Sequence, residues 1–233
     1  MENNVFLEYL AKHFRDSYDD LVLKFNEYGR LLAKESQIHN LTAIAPEEYD
    51  EKHFLDSLLL GETYSFNNES LIDVGSGAGF PGLVLAIAYP KLKVTLLEPT
   101  RKRCDFLRLV VTTLNLANVI IANARAEDYV KKVRGTFDLA TSRAVASLPI
   151  ILELSVPLVK VGGSVLVMKG KNYENELLIS KNAIKKLSIS PGKVSIHHLK
   201  SDGSMRVNAQ YIKVSETSAK YPRAFGQIKK NPL

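Results

Sequence analysis

The first part of the chain carries apolar residues with the period of an α-helix. They recur at three- and four-residue steps from position 6 to position 32, a spacing that places them on one helical face. Pro46, followed by two glutamates, suits the first turn of a further helix, and Gly61 closes it. We therefore predict an N-terminal helical extension over residues 1–66, which ends in the polar break at 65–70.

Beyond this break, short apolar runs alternate with amphipathic segments. That alternation is typical of a parallel sheet covered by helices. The apolar runs predict strands near 70–74, 93–97, 118–122, 137–142 and 163–169. The segments between and after them predict helices near 81–89, 100–115, 125–132, 146–159 and 172–187.

Two further apolar stretches, 193–199 and 206–214, flank the turn signal Ser201-Asp-Gly-Ser204. They predict an antiparallel hairpin that completes a seven-stranded, mostly parallel sheet. Residues 67–233 then form one α/β domain. The basic tail over 221–233 contains proline and glycine, and we expect a loop that something else must order.

Composition narrows the class of protein. The chain has 233 residues, 45% of them hydrophobic, and a net charge of +6 that favours polyanionic partners. Its one cysteine, Cys104, excludes an internal disulfide and a cysteine-based structural zinc site, so no metal is expected. No apolar run approaches the roughly 18 residues of a membrane span, and the start lacks the pattern of a signal peptide. We expect a cytoplasmic protein.

A glycine-rich turn follows the first predicted strand. Asp73 precedes Gly75, Gly77 and Gly79, and Glu98 ends the next strand. Glycines let backbone N–H groups approach a ligand, and a helix N-terminus favours negative charge. The pattern predicts a cradle for S-adenosylmethionine (SAM), whose methionine carboxylate and ribose match these groups.

The same turn also spells the dinucleotide fingerprint. Residues 77–82 read Gly-Ala-Gly-Phe-Pro-Gly, and Glu98 lies nineteen residues beyond Gly79. A nicotinamide-dependent enzyme needs a catalytic set for hydride transfer, such as a Tyr-x-x-x-Lys pair on a helix. Tyr89 and Lys93 match this pattern, but Pro90 lies between them. The terminal hairpin also suits a methyltransferase sheet better than a dehydrogenase sheet. SAM is favoured. An NAD(P)-dependent oxidoreductase and a non-catalytic ribosomal RNA-binding protein on a methyltransferase fold stay open as alternatives.

Several motifs lie outside the glycine turn. With it they resemble the bacterial 16S ribosomal RNA guanine-N7 methyltransferases, the glucose-inhibited division protein B family, over nearly the whole chain. The shared motifs are Asn40-Leu-Thr42, His53-Phe-Leu-Asp-Ser57, the segment 73–82, Lys102-Arg103, Phe106-Leu107, Ser142-Arg-Ala-Val-Ala-Ser147, Gly162-Gly, Lys169-Gly170, Tyr221-Pro-Arg223 and Gly226.

The resemblance implies a class I, Rossmann-like SAM-dependent methyltransferase with an N-terminal helical extension. It implies a 16S ribosomal RNA or small-subunit precursor as partner, and we expect a monomer. By this resemblance, the methionine end contacts Gly75 and Phe80, and Arg143 lies where cofactor and target base meet. The remaining implied cofactor contacts are Glu98, Pro99 and Thr100 at the ribose, and Ala126 and Glu127 at the adenine.

Methyl transfer from a sulfonium is an in-line displacement, so positioning is the main task. Guanine N7 has a free lone pair and needs no general base, and Cys104 need not act as a nucleophile. We predict Arg143 and Lys169 as the groups at the reacting edge of the sheet. Arg223, Lys229 and Lys230 are predicted to contact RNA, because a basic tail without apolar periodicity has little else to do.

His53 and Asp56 lie three residues apart and therefore on one helical face. They are predicted either to cover the cofactor or to hold their helix against the sheet. The sequence leaves the choice open.

Overall fold

The computed structural model describes residues 4–233, so residues 1–3 of the predicted extension lie outside it. One sheet of seven strands runs in the order β3-β2-β1-β4-β5-β7-β6. The first five strands are parallel, and β7 is antiparallel to both of its neighbours. This is the predicted seven-stranded sheet. The strands are β1 Ser70–Val74, β2 Lys93–Leu97, β3 Val119–Ala122, β4 Phe137–Arg143, β5 Val159–Lys169, β6 Ile189–His198 and β7 Met205–Lys213.

Helices cover both faces of the sheet. They are α1 Val5–His13, α2 Tyr18–His39, α3 Asp56–Leu58, α4 Gly82–Ala88, α5 Arg101–Thr113, α6 Ala126–Val133, α7 Leu148–Ser155, α8 Tyr173–Ile179, α9 Lys181–Lys186 and α10 Phe225–Lys230. One apolar core lies on the first face of the sheet. It is formed by the buried residues of helices α1, α2, α4 and α5, together with Leu71 and Leu139 of the sheet. Helices α6, α7, α9 and α10 share the core on the other face, where Ile72 and Ala140 point. Successive strand residues therefore alternate between two cores.

The N-terminal extension packs directly against the glycine turn. The Tyr28 hydroxyl, fully buried on α2, donates to the carbonyl of Ala78 at 2.5 Å. Between α2 and β1 the predicted regular helix is wrong: Pro46–Glu48 is a single 3₁₀ turn, and Asp50–Leu55 is a wider π-helical turn that leads into α3. The wider turn brings His53 and Asp56 toward the sheet. The boundary at residue 66 stays a prediction.

Two helices differ from the expected ranges. The helix predicted over 146–159 is α7, which ends at Ser155 and is followed by a 3₁₀ turn at Val156–Leu158. Strand β5 begins at Val159, four residues before the predicted strand, and contains Gly162 with φ 84°. The helix predicted over 172–187 is divided into α8 and α9 at Ser180. The Ser180 hydroxyl donates to the carbonyl of Glu176 and is buried there.

The expectation that 221–233 is a loop ordered by something else is wrong. Tyr221, Ile228 and Leu233 are buried, and α10 packs against α7. The tail therefore belongs to the core on that face. Within residues 4–233, no helix combines the length and the apolarity that crossing a membrane requires.

Candidate functional site: a cofactor cleft and a cationic cavity

The glycine turn between β1 and α4 is held from beneath. The buried Asp73 carboxylate accepts a hydrogen bond from the amide of Gly82 at 2.9 Å, and burial raises the pKa of Asp73 to about 7. Gly79 has φ 106°, and a Cβ there would lie 2.5 Å from the Tyr28 hydroxyl. Asp73 and Gly79 thus shape the turn from behind, and Gly75 and Gly77 line the cleft in front.

Glu98 closes one side of this cleft. Its carboxylate is 2% exposed and accepts hydrogen bonds from the amides of Gly77 at 3.0 Å and Thr100 at 2.8 Å. A carboxylate offers about four lone-pair directions, so two remain for a ligand hydroxyl. Arg103 lies 4.0 Å away and balances the charge. The buried acid is therefore placed to accept from a ribose.

Three cavities meet along the carboxyl ends of the strands. The cofactor cleft, about 420 Å³, is lined by the predicted residues Gly75, Gly77, Phe80, Glu98, Pro99, Thr100 and Arg143. An apolar cavity of about 110 Å³ adjoins it and holds the predicted Ala126 and Glu127. A third cavity of about 600 Å³ contains both Arg143 and Lys169 and is called the cationic cavity below. The predicted cofactor residues are thus brought together, with Asp73 and Gly79 behind them.

Arg143 stands between the cofactor cleft and the cationic cavity. Its Nη1 donates to Asp56 Oδ2 at 2.9 Å and to the carbonyl of Lys52 at 3.0 Å, and its Nη2 contacts His53 Nδ1 at 2.8 Å. Its guanidinium also lies 4.7 Å above the centroid of the Phe80 ring. Arg206 reaches the other Asp56 oxygen at 3.2 Å. Arg143 is therefore fixed from four directions.

His53 and Asp56 do share one face, and that face meets Arg143. The His53 ring stacks on Phe80 at 4.1 Å between centroids. Burial, followed by the Arg143 charge, lowers the pKa of His53 to about 3, so the ring is neutral at neutral pH. His53 both lines the cofactor cleft and holds its helix against the sheet. The two roles that the sequence left open are therefore compatible.

Lys169 lies in the cationic cavity but is engaged with its own chain. Its Nζ donates to the carbonyl of Ala146 at 2.7 Å and pairs with Glu176 at 2.8 Å. Glu176 in turn accepts from the amide of Leu148 at 2.6 Å. Lys169 thus fixes the segment 144–147, whose first residue, Ala144, has φ 56°.

The tail residues predicted to contact RNA separate into two groups. Arg223 forms a two-pronged ion pair with Glu153, with Nε–Oε1 at 2.8 Å and Nη2–Oε2 at 2.6 Å, and Glu153 is completely buried. The reason given for Arg223, that a basic tail has little else to do, is therefore wrong. Lys229 and Lys230 are exposed on α10.

Several lining residues were not singled out from the sequence, among them Lys52 and Arg206 in the cationic cavity. Thr42 lines the cofactor cleft, and Phe225 lines the apolar cavity beside Ala126. Thr42 belongs to the motif Asn40-Leu-Thr42, which is part of the family resemblance but was given no role in the site. No sequence motif pointed to Phe225, because only the folding of the tail places it beside the ends of β1 and β2.

The donor set fits SAM. Gly75 has φ 74° and packs on Val145 so closely that an added Cβ would lie 2.6 Å from that side chain, so this position of the turn requires glycine. A glycine turn, a buried acid and an adjoining apolar cavity are the groups that suit the methionine, the ribose and the adenine of SAM. Cys104 is buried, donates to the carbonyl of Glu98 at 3.1 Å, and burial raises the pKa of its thiol. Residues 4–233 contain no group of three His, Cys, Asp or Glu side chains placed for a metal.

Solved structures share this fold. TYW2 from M. jannaschii in complex with AdoMet matches with a TM-score of 0.56 and 19% identity, over 69% of this chain and 75% of that one. A SAM-dependent methyltransferase from Aquifex aeolicus matches with a TM-score of 0.54 and 18% identity, over 71% of this chain and 93% of that one. They confirm the predicted class I methyltransferase fold.

Sequence relatives are much nearer. Ribosomal RNA small subunit methyltransferase G of Mycoplasma capricolum is 42% identical over 97% of this chain and 96% of its own length. That of Clostridium beijerinckii is 43% identical over 90% of each. The GidB family model, rRNA small subunit methyltransferase G, matches residues 22–205. The predicted family, enzyme class and SAM cofactor are confirmed, and the chain belongs to the GidB family of rRNA small subunit methyltransferases.

Proposed function

We propose that this chain methylates N7 of one guanine in 16S ribosomal RNA with SAM as the methyl donor. The observation that carries the proposal is the common wall of two cavities. His53, Arg143, Ala144 and Val145 line both the cofactor cleft and the cationic cavity. A methyl group at the end of one cavity and a base in the other therefore meet beside Arg143.

The cationic cavity suits a nucleotide. Four cationic side chains line it, against the two carboxylates of Asp56 and Glu176. The cationic side chains are Lys52, Arg143, Lys169 and Arg206. A volume of about 600 Å³ is within the usual range for a small-molecule site. Lys52 is paired from outside the cavity with Glu48 at 2.6 Å and Asp202 at 3.0 Å. The three other cations against two carboxylates leave a small positive excess, which attracts a phosphate-bearing substrate.

Guanine N7 matches the side chains at this junction. SAM, when bound, supplies a methyl group on a sulfonium that the nitrogen lone pair can attack directly. N7 carries no proton, so no side chain has to remove one. His53 has both ring nitrogens engaged, with Arg143 and Thr42, and is therefore unsuited to be a base. Positioning is what the residues at this junction provide.

Arg143 is the residue we assign to the target base. Three of the five N–H groups of its guanidinium are engaged with Lys52, His53 and Asp56. The other two are available to a guanine oxygen or a phosphate. Lys169, by contrast, acts through the segment 144–147 and is a positioning residue. Because N7 faces the deep, narrow major groove of A-form RNA, the target base is unpaired or extruded.

The partner we propose is 16S ribosomal RNA or a precursor of the small subunit, met by a monomer in the cytoplasm. The curated relatives carry the name ribosomal RNA small subunit methyltransferase G, which supports an rRNA substrate. Lys229 and Lys230 are exposed and free to meet phosphates. The proposed cofactor-binding set remains Gly75, Gly77, Phe80, Glu98, Pro99, Thr100, Ala126, Glu127 and Arg143, with Asp73 and Gly79 shaping the turn from behind.

The proposal is tested by methyl transfer to small-subunit RNA from cells that lack this protein. Arg143→Ala should abolish transfer to guanine N7, whereas Arg108→Ala, an exposed partner of Asp105, should retain it. Equal transfer by both variants would contradict the assignment of Arg143. No transfer by the unaltered protein to either naked RNA or assembled particles would contradict the function.

A further inference from the structure

The direction of the hydrogen bonds around His53 is fixed by Arg143. Arg143 Nη2 lies 2.8 Å from His53 Nδ1. A guanidinium can only donate, so Nδ1 must accept, and a neutral ring then carries its proton on Nε2. The tautomer of His53 follows from this one contact.

Thr42 receives that proton's hydrogen bond. His53 Nε2 lies 2.8 Å from Thr42 Oγ1, and the amide of Ile44 donates to the same oxygen at 3.1 Å. A hydroxyl oxygen has two lone pairs, and both are now occupied. The hydroxyl hydrogen is therefore left as a donor, and it forms no hydrogen bond to an acceptor within residues 4–233.

The position of Thr42 decides which ligand atoms this hydrogen can meet. Thr42 lines the cofactor cleft, whose walls include both the glycine turn with Phe80 and the proposed ribose residue Glu98. The contact of Thr42 with His53 decides between these two ends, because the His53 ring stacks on Phe80 at 4.1 Å. Thr42 therefore lies at the Phe80 end, which is the proposed methionine end of the cofactor.

The methionine end of SAM has three polar groups. Its ammonium nitrogen has no lone pair, and the lone pair of its positively charged sulfonium sulfur is a poor hydrogen-bond acceptor, so its carboxylate is the group that accepts hydrogen bonds. We propose that the Thr42 hydroxyl donates to this carboxylate, at the end of a directed chain that runs from Arg143 through His53 to Thr42. The inference rests on the proposed function, because it uses the orientation of SAM assigned there.

The consequence is a link between the two cavities. Asp56 and the Lys52 carbonyl orient Arg143, Arg143 sets the tautomer of His53, and His53 leaves the Thr42 hydroxyl only one role, that of donor. The residue assigned to the target base thus also orients a cofactor contact on the opposite side of the His53 ring.

The test compares SAM with decarboxylated SAM, which keeps the sulfonium and the amine but lacks the carboxylate. Affinities of both are measured by calorimetry for the unaltered protein, Thr42→Val and Thr42→Ser. Thr42→Val should bind SAM about tenfold more weakly, as expected for a lost hydrogen bond to a charged group. Its affinity for decarboxylated SAM should be unchanged, and Thr42→Ser should retain both affinities.

Two results would overturn the inference. An equal loss for both cofactors would show that Thr42 only supports the fold, and thermal unfolding of each variant identifies that case. Unchanged SAM affinity with impaired methyl transfer would place the acceptor on the target base. Failure of the proposed function is distinguishable, because the unaltered protein would then bind SAM without methylating ribosomal RNA.

Discussion

Arg143 Nη1 lies 2.9 Å from Asp56 Oδ2, although 87 residues separate the two in the chain. This ion pair joins the end of β4 to the N-terminal extension, and Arg143 lines both the cofactor cleft and the cationic cavity. Asp56 is 3% exposed and also meets Arg206 at 3.2 Å. The extension therefore helps to build the site as well as to cover the sheet.

Removal of the Asp56 carboxylate should be costly. Asp56→Ala leaves two partly buried guanidinium groups without their counterion, and breaking such a pair costs about 3–5 kcal/mol. We expect a loss of that size in the free energy of unfolding, measured by urea denaturation, together with loss of methyl transfer. The control is Asp128→Ala, which removes an exposed pair with Lys131 and should change stability by less than about 0.5 kcal/mol. Similar effects of the two substitutions would contradict the anchoring role.

His53 should make folding sensitive to acid. Its pKa falls from 6.5 to about 3 on folding, so the unfolded chain binds the proton more readily. The contribution of neutral His53 to the free energy of unfolding is therefore complete above about pH 6.5 and is lost as the pH falls toward 3. Asp73 acts in the opposite direction, because burial raises its pKa to about 7 and its protonation favours the folded state as the pH falls.

Comparison with His53→Gln isolates the histidine, because the Asp73 contribution is common to both proteins. Between about pH 8 and about pH 5, the unaltered protein should lose about 2 kcal/mol of stability relative to the variant. Urea denaturation at both pH values measures the difference. A difference independent of pH would show that His53 is not held neutral by burial.

Glu98 should hold the ribose. Glu98→Ala removes a buried acceptor and should weaken SAM binding by about 1–3 kcal/mol. The carboxylate also accepts hydrogen bonds from the amides of Gly77 and Thr100. Glu98→Gln keeps one acceptor oxygen and should therefore lose less SAM affinity than Glu98→Ala. Calorimetric titration measures both, and unchanged affinity in Glu98→Ala would show that the ribose is held elsewhere.

The tail should separate into a structural and an RNA-binding part. Arg223→Ala leaves the fully buried Glu153 unpaired, and we expect a loss of about 3–5 kcal/mol in unfolding free energy. Lys229→Ala with Lys230→Ala should leave stability unchanged and weaken binding to small-subunit RNA, with a smaller dependence on salt. Binding measured at two salt concentrations checks this. Equal RNA affinity would remove both lysines from the interface.

The parallel sheet could be predicted from the sequence, because apolar runs and glycines mark strands and turns through the local pattern of residues alone. Strands β1 and β2 have the bounds that were predicted, Ser70–Val74 and Lys93–Leu97. The π-helical turn at Asp50–Leu55 was not predictable from local pattern, since it accompanies contacts of His53 and Asp56 with Arg143 that lie 90 and 87 residues apart in the chain.

The same reason explains what was missed in the site. Thr42 gains its role from the tautomer of His53, and Phe225 from a tail helix that packs on α7. Arg223 was assigned to RNA because a basic tail without apolar periodicity has little else to do. The sequence did not reveal its acidic partner, Glu153, which lies 70 residues away inside an apolar helix. Charge patterns along the chain do not reveal a partner that only the tertiary fold supplies.

The central claim is methylation of guanine N7 in small-subunit ribosomal RNA at the junction beside Arg143. Mass mapping of this RNA from cells with and without the protein tests it most directly. We expect one 7-methylguanosine that disappears in cells without the protein and returns when the unaltered gene is supplied. Identical modification maps, or loss of a methyl group from any other base or position, would contradict it.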